Sequence, residues 1–266
     1  MPKTVAVVLP AFNEADGLKK PFANIKDGID EFRRLYDNSF KLFPIDDGST
    51  DGTYDVMVRC CADYELPAIP YRNEKNLGIA RTVHDAYIRI LSQFNPDYFL
   101  KTDLDADFNQ QTVFERLMPF VVNGADAVAG IRWREISRAE NSHEVDRRED
   151  MLRILKEEFG LTEFDPPSAG SQLYSRKAMA TLLDQPMIRN YNRRWGFDVA
   201  MPLLARKLGF GAPVVKIENG SYDPKRRPKE KVDAQYDAYV EIVGQLTGKK
   251  PAELSTLYAI PPSAPE

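Results

Sequence analysis

Cysteine is almost missing from this chain: Cys60 and Cys61 stand side by side, two in 266 residues. Adjacent cysteines rarely close a disulfide, because the geometry is strained, and no metal-type cysteine spacing exists. The expected setting is a reducing cytoplasm. Long apolar runs are lacking too. The longest span about five residues, against the roughly 20 needed to cross a bilayer. Met1 to Leu9 has neither the charged start nor the long apolar core of a secretory leader. An integral helical membrane protein is thereby excluded, while peripheral contact at the inner face of the membrane stays open. There is no basic excess. The net charge is −4, so the whole molecule has nothing with which to hold nucleic acid by counterion release. Any anion must be held locally.

What remains is a balanced globular composition, 43% apolar and 29% charged, long enough for one large domain or a domain with an appendage. Val5 to Leu9 is a continuous apolar run and predicts a strand buried on both faces. Leu18 to Tyr36 carries apolar residues at spacings of three and four and predicts a helix. Strands follow at Phe40–Ile45, Ala68–Tyr71 and Tyr98–Thr102, with helices at Thr53–Tyr64 and Ile79–Phe94 between them. Pro44 marks the end of its strand in this reading. This alternation predicts an α/β fold, a mostly parallel sheet with helices on both faces. Further on, helices are expected at Gln111–Val122, Lys177–Leu183 and Val199–Leu208, and strands at Ala125–Ile131 and Ala212–Ile217. Arg132 to Glu158 is dense in charge of both signs and reads as a solvated helix. The proline-rich end, residues 261–266, reads as a disordered tail.

Four polar motifs each follow a predicted strand: Pro10-Ala11-Phe12-Asn13-Glu14, then Asp46 to Thr53, then Asn76 to Arg81, then Asp103-Leu104-Asp105-Ala106-Asp107. In open α/β sheets ligands bind beyond the carboxyl ends of the strands, which puts all four on one edge. The alternating aspartates of the fourth bring at least two carboxylates together. Their repulsion is relieved by a hard divalent cation, Mg²⁺ or Mn²⁺, which can also bridge to phosphate oxygens. A solvated turn or a set of helix caps is the competing reading. In the second motif Gly48 and Gly52 suit tight turns, and Ser49 to Thr53 suit helix caps. Capping does not account for Asp47 at the strand end, where a carboxylate can accept from the imide nitrogen of a pyrimidine.

On these residues the chain resembles family-two glycosyltransferases, whose fold is GT-A. The motifs that carry the resemblance are PAFNE at 10–14, DDGSTDGT at 46–53, NLGIARTVHDAY at 76–87 and DADF at 105–108, with weaker matches at 127–133, 168–179 and 194–210. The later spacing is more similar to the dolichyl- or polyprenyl-phosphate sugar transferase branch than to cellulose-synthase-like polymerases, whose Gln-x-x-Arg-Trp motif is broken here by Tyr191. The resemblance implies a nucleotide-diphosphate sugar as donor, and an acceptor that is a polyprenyl phosphate or a soluble sugar or metabolite. It implies a nucleoside pocket lined by Pro10, Ala11 and Glu14, with Asp47 reading the base, Gly78 allowing close backbone approach and Arg81 near base or phosphate. Asp105 and Asp107 would meet the sugar-nucleotide and the metal, Asp107 coordinating directly, and Asn109 would add an amide ligand.

The chain also departs from the family pattern. Gly196-Phe197-Asp198 stands where members with hydroxyl acceptors commonly carry Glu-Asp, so Asp198 is either the general base or the N-cap of the following helix. Lys225-Arg226-Arg227-Pro228-Lys229 is either a solvated loop or a lid whose Arg226 and Arg227 neutralise the leaving diphosphate. A GT-A domain is expected over 1–220, with a nucleotide-binding half at 1–131 and an acceptor-side half at 132–220. Residues 221–266 are expected to hold the basic loop, a C-terminal helix and the tail. The implied activity is metal-dependent sugar transfer with inversion. Competing enzymes fit poorly. A haloacid-type phosphatase places its Asp-x-Asp after the first strand. A sugar-phosphate nucleotidyltransferase has a Gly-rich signature there, and a dinucleotide-dependent oxidoreductase has Gly-x-Gly-x-x-Gly. A non-catalytic sugar-nucleotide-binding protein stands as the alternative.

Overall fold

The computed structural model of the protein describes residues 2–105, 109–132, 138–162, 164, 170–192, 195–218 and 228–258. In chain order the elements are β1 (Thr4–Ala11), α1 (Lys19–Leu35), β2 (Ser39–Asp46), α2 (Thr53–Asp63), β3 (Tyr71–Arg72), α3 (Ile79–Gln93), β4 (Tyr98–Lys101), α4 (Gln110–Val122) and β5 (Ala127–Arg132). They continue with α5 (Arg138–Phe159), β6 (Ser171–Ser175), α6 (Arg176–Asp184), α7 (Pro186–Arg189), α8 (Phe197–Lys207), β7 (Gly211–Ile217), α9 (Lys229–Thr247) and α10 (Pro251–Leu254). The strands form one sheet in the order β3-β2-β1-β4-β6-β5-β7. β1 runs parallel to β2 and β4, β2 to β3, and β5 to β7. β6 runs antiparallel to both of its neighbours. The mostly parallel sheet expected from the alternation is therefore present.

The continuous apolar strands are buried on both faces because successive side chains point to opposite sides. Val5, Val7 and Leu9 of β1 join α1, α2 and α4 in one core, which also takes Leu42, Leu100 and Phe114. Ala6 and Val8 join the other, with Phe43, Phe99 and residues of α3, α5, α6, α8 and α9. Val240, Ile242 and Val243 of α9 lie in that second core. Among the described residues no helix is long and apolar enough to cross a membrane.

Three expectations need correction. Pro44 does not end its strand: β2 runs on to Asp46. Leu42 donates its amide toward Pro67, on the β3 side. Residue 44, two further along, directs its missing N–H to that same ragged edge and costs the β1 ladder nothing. β3 itself is two residues long. Pro70 interrupts the run expected from Ala68, which keeps an isolated bridge to Leu42. The third correction is the charged helix at 132–158. α5 begins at Arg138, is broken at Asn141, and buries Met151, Ile154 and Leu155 in the core. Its apolar stripe was hidden among charges. β6 was not expected at all, since Ser171-Gln172-Leu173-Tyr174-Ser175 shows no apolar run, yet all five residues are buried.

Candidate active site

Parallel β1, β2 and β4 deliver the first, second and fourth motifs to one edge of the sheet, and their backbones interlock there. Asp47 N donates to Ala11 O at 2.9 Å and Leu104 N to Pro10 O at 3.2 Å. Asn13 N donates to Ser49 Oγ, and Glu14 N to Thr53 Oγ1, both at 2.8 Å. Thr50 N returns a bond to Asn13 Oδ1 at 3.2 Å. The hydroxyls of Ser49 and Thr53, expected as caps of α2, bond the first loop instead; the N-cap of α2 is Gly52, with no side-chain cap bond. Pro10 and Ala11 close β1 as buried residues.

Asp46 and Asp47 have different partners. Asp46 is fully buried, accepts from Ser49 N at 3.0 Å, and faces Arg72 Nε at 3.2 Å. Asp47, also buried, holds the third motif. Its Oδ1 accepts from Asn73 Nδ2 and Leu77 N at 2.9 Å and from Thr82 Oγ1 at 2.6 Å, while Oδ2 accepts from Gly78 N at 2.9 Å. Gly78 is the N-cap of α3 at φ 85°, which only glycine adopts without strain. Gly48 lets the second and third loops touch: a Cβ there would lie 2.3 Å from the Lys75 carbonyl carbon. Asp47 is therefore an organiser of this loop, with three of its four bonds on one oxygen. Arg81 sits in the first turn of α3, exposed, and pairs with Asp85 at 2.7 Å.

At the end of β4 a carboxylate partner of a different kind appears, a buried ammonium in place of the neutral donors around Asp47. Lys101 is fully buried, and its Nζ lies 2.7 Å from Asp103 Oδ1 and 3.1 Å from Asp198 Oδ1. Burial alone pulls the lysine pKa down, but Asp103 and Asp198 more than reverse this, so the ammonium stays charged. For Asp198, burial raises the carboxyl pKa, Lys101 lowers it and the Asp103 charge raises it again; the net direction is up. Asp198 is not the N-cap of α8. That place belongs to Gly196, whose carbonyl accepts the first helical bonds from Val199 and Ala200. Asp198 lies inside the first turn, where the helix dipole favours an anion, and its carboxylate points at Lys101. Its backbone carbonyl accepts from Gln172 Nε2 at 2.5 Å, and Gln172 Oε1 accepts from the Tyr174 hydroxyl at 2.8 Å.

The acidic loop is fixed by Gln110, fully buried, whose Nε2 donates to the carbonyls of Asp103 at 3.1 Å and Asp105 at 2.9 Å. Asn109 is the N-cap of α4, its Oδ1 accepting from Thr112 N at 3.4 Å, a use that competes with metal coordination. Asp107, Arg226 and Arg227 lie outside the described residues. Among the described residues no three His, Cys, Asp or Glu side chains gather as a metal-binding group. The structure thus brings Pro10, Ala11, Glu14, Asp47, Gly78, Asp105 and Asp198 to the end of the sheet where the four motifs converge. Lys101, Gln110, Gln172 and Arg72 were not found from sequence. Lys101 had a signal: a lone charge closing the apolar run Tyr98-Phe99-Leu100.

The model of the glycosyl transferase family 2 matches residues 6–183. The chain belongs to this family. A curated relative is the undecaprenyl-phosphate 4-deoxy-4-formamido-L-arabinose transferase of Pseudomonas syringae pv. syringae (strain B728a). It is 25% identical over 130 residues, 49% of this chain and 36% of that protein. The match thus spans well under half of the relative's length. Among solved structures, glucosyl-3-phosphoglycerate synthase from Mycobacterium tuberculosis, in complex with Mn²⁺, UDP-glucose and phosphoglyceric acid, aligns with a TM-score of 0.62. It is 18% identical, over 93% of this chain and 81% of that one. Mannosyl-3-phosphoglycerate synthase from Rubrobacter xylanophilus aligns with a TM-score of 0.58 at 22% identity, over 99% of this chain and 79% of that one. At these identities the likeness establishes the fold, GT-A.

Proposed function

We propose that this family 2 chain transfers a sugar from a nucleotide-diphosphate sugar to an acceptor, with inversion, and works with Mg²⁺ or Mn²⁺. The observation that carries the reading is the convergence of four loops at one sheet end, with Asp47 holding the 73–82 loop through neutral donors on one side and the acidic loop with the Lys101–Asp198 pair on the other. Pro10, Ala11 and Glu14 line the nucleoside pocket, with Asp47, Gly78 and Arg81 beside the base and phosphate. Asp105 and Asp107 supply hard oxygen ligands suited to either cation, and Asn109 is the third candidate ligand. A cation held there would supply electrostatic stabilisation of the departing diphosphate. Arg226 and Arg227 add forked donors to the same phosphates. The solved neighbours hold UDP-glucose with Mn²⁺ and UDP with Mg²⁺, so UDP-sugars are the first donors to test.

The acceptor is a hydroxyl on a phosphate-bearing molecule. Solved neighbours hold phosphoglyceric acid and glycerol 3-phosphate, while the curated relative's name points to undecaprenyl phosphate. Asp198 favours the hydroxyl. A carboxylate can take the proton of an attacking hydroxyl, whereas an attacking phosphate is already ionised and would be repelled. The setting is the cytoplasm, and a polyprenyl phosphate acceptor would place the protein at the inner face of the membrane. The test is a screen of UDP- and GDP-sugars with Mn²⁺ or Mg²⁺, against 3-phosphoglycerate, glycerol 3-phosphate and undecaprenyl phosphate. Cation-dependent release of nucleoside diphosphate, stimulated by a phosphorylated alcohol, supports the reading. Stimulation by undecaprenyl phosphate alone removes Asp198 as the base.

A further inference from the structure

We infer that Lys101 is a positioning residue: its buried ammonium fixes one oxygen of Asp198 so that the other faces the acceptor. This rests on the reading of Asp198 as the base. A buried ammonium persists only when fully paired, and one carboxylate, Asp103 two residues away, would supply a local pair. The second arm reaches Asp198, 97 residues on, and ties β4 to the first turn of α8. Asp198 is then held at two points, Oδ1 by Lys101 at 3.1 Å and its carbonyl by Gln172 at 2.5 Å. Among the described residues none donates to Oδ2, and the side chain is 28% exposed. Rotation of the carboxylate would break the Lys101 bond, so the direction of Oδ2 is set by an ammonium that never meets the substrate. The same ammonium lets Asp103 and Asp198 stay close without mutual repulsion forcing them apart.

The experiment compares Lys101→Met, Asp198→Asn and the double variant, with UDP-glucose, Mn²⁺ and 3-phosphoglycerate. Lys101→Met is expected to lower kcat about 100-fold, the scale of an ångström misplacement, with KM for UDP-glucose within about threefold of the original enzyme. The double variant is expected to match Asp198→Asn within about threefold, because a residue acting through Asp198 has nothing left to position. Losses that multiply in the double variant, or an unchanged kcat in Lys101→Met, overturn the inference. Should Lys101→Met fail to fold, Lys101→Gln replaces it, alone and combined with Asp198→Asn, and is held to the same two outcomes. Should the original enzyme turn over no nucleotide sugar, the proposed function has failed, and the ion pair is read separately from the Lys Nζ resonance. A protected Nζ signal that moves on Asp198→Asn keeps the positioning contact. A signal indifferent to that change removes it.

Discussion

Asp47 and Asp198 are both carboxylates at the ends of the same sheet, and they are held in opposite ways. Asp47 is satisfied by two backbone amides, an amide side chain and a hydroxyl, none of them charged. Asp198 is held by a buried ammonium shared with a second carboxylate. Neutral donors fix geometry without adding field, which suits a loop that must present itself to a nucleotide. A buried charge pair fixes geometry and also sets the proton affinity of its members, which suits a group that exchanges a proton. In the proposed function the β1–β2 side would serve binding and the β4–α8 side chemistry.

This contrast is broken most strongly at the acidic loop. Asp105→Ala or Asp107→Ala is expected to lower turnover by about three orders of magnitude, the loss seen when charge stabilisation at a leaving group is removed. Steady-state kinetics across Mn²⁺ concentrations checks this, and full activity in excess chelator contradicts it. Next comes Asp198→Asn, with kcat expected to fall about 10²- to 10⁴-fold and little change in donor KM. A change confined to KM would move Asp198 to the binding side. Asp47→Ala should do the reverse. Loss of its four bonds frees the 73–82 loop, so UDP affinity by calorimetry drops by about 1–3 kcal/mol, while kcat at saturation changes less. An equal loss in both would erase the distinction between the two sides.

Smaller effects follow outside these two centres. Replacing both Arg226 and Arg227 by alanine should lower turnover about tenfold, or 1.4 kcal/mol, and UDP with Mn²⁺ should slow tryptic cleavage between 222 and 231. Cleavage equally fast with and without ligand, together with full activity, reduces this segment to surface. Asp150 supports α9 and α10 from α5. It accepts from Tyr236 and, at 2.7 Å, from Arg153. Burial raises its pKa, but the bonds from Tyr236, Arg153 and Ser255 outweigh that and leave it lowered. A lowered folded pKa stabilises above the unfolded value of about 3.9 and is lost as pH falls through the folded one. Asp150→Asn should therefore lower Tm at pH 7, and the gap should close below about pH 4. Turnover should be unchanged at temperatures where the variant is folded.

The binding side was the more legible in sequence. Its loops follow apolar strands directly, and local turn chemistry marks Gly48. The Asp47 bonds to Asn73 and Thr82 were not legible, because they join residues 26 and 35 apart whose types are unremarkable alone. The chemical side depends on longer closures. β6 carries no apolar run, since it lies between two strands with Gln172 and Tyr174 turned to α8, so neither periodicity nor propensity marked it. Asp198 was visible as a carboxylate near a helix start. What excludes the cap is Gly196, whose carbonyl accepts the first bonds of α8, and the partner of the Asp198 carboxylate, Lys101, lies 97 residues away. Pro44 misled because sequence shows a missing donor but not which edge it faces.

The most direct test is release of UDP from UDP-glucose by the purified chain, with Mn²⁺ and with excess chelator, in the original protein and in Asp105→Ala. The account predicts release with Mn²⁺, at least about tenfold less in chelator, and none above background in Asp105→Ala. Release that is equally fast in chelator, or unaltered in Asp105→Ala, contradicts a cation-dependent acidic loop as the centre of this site.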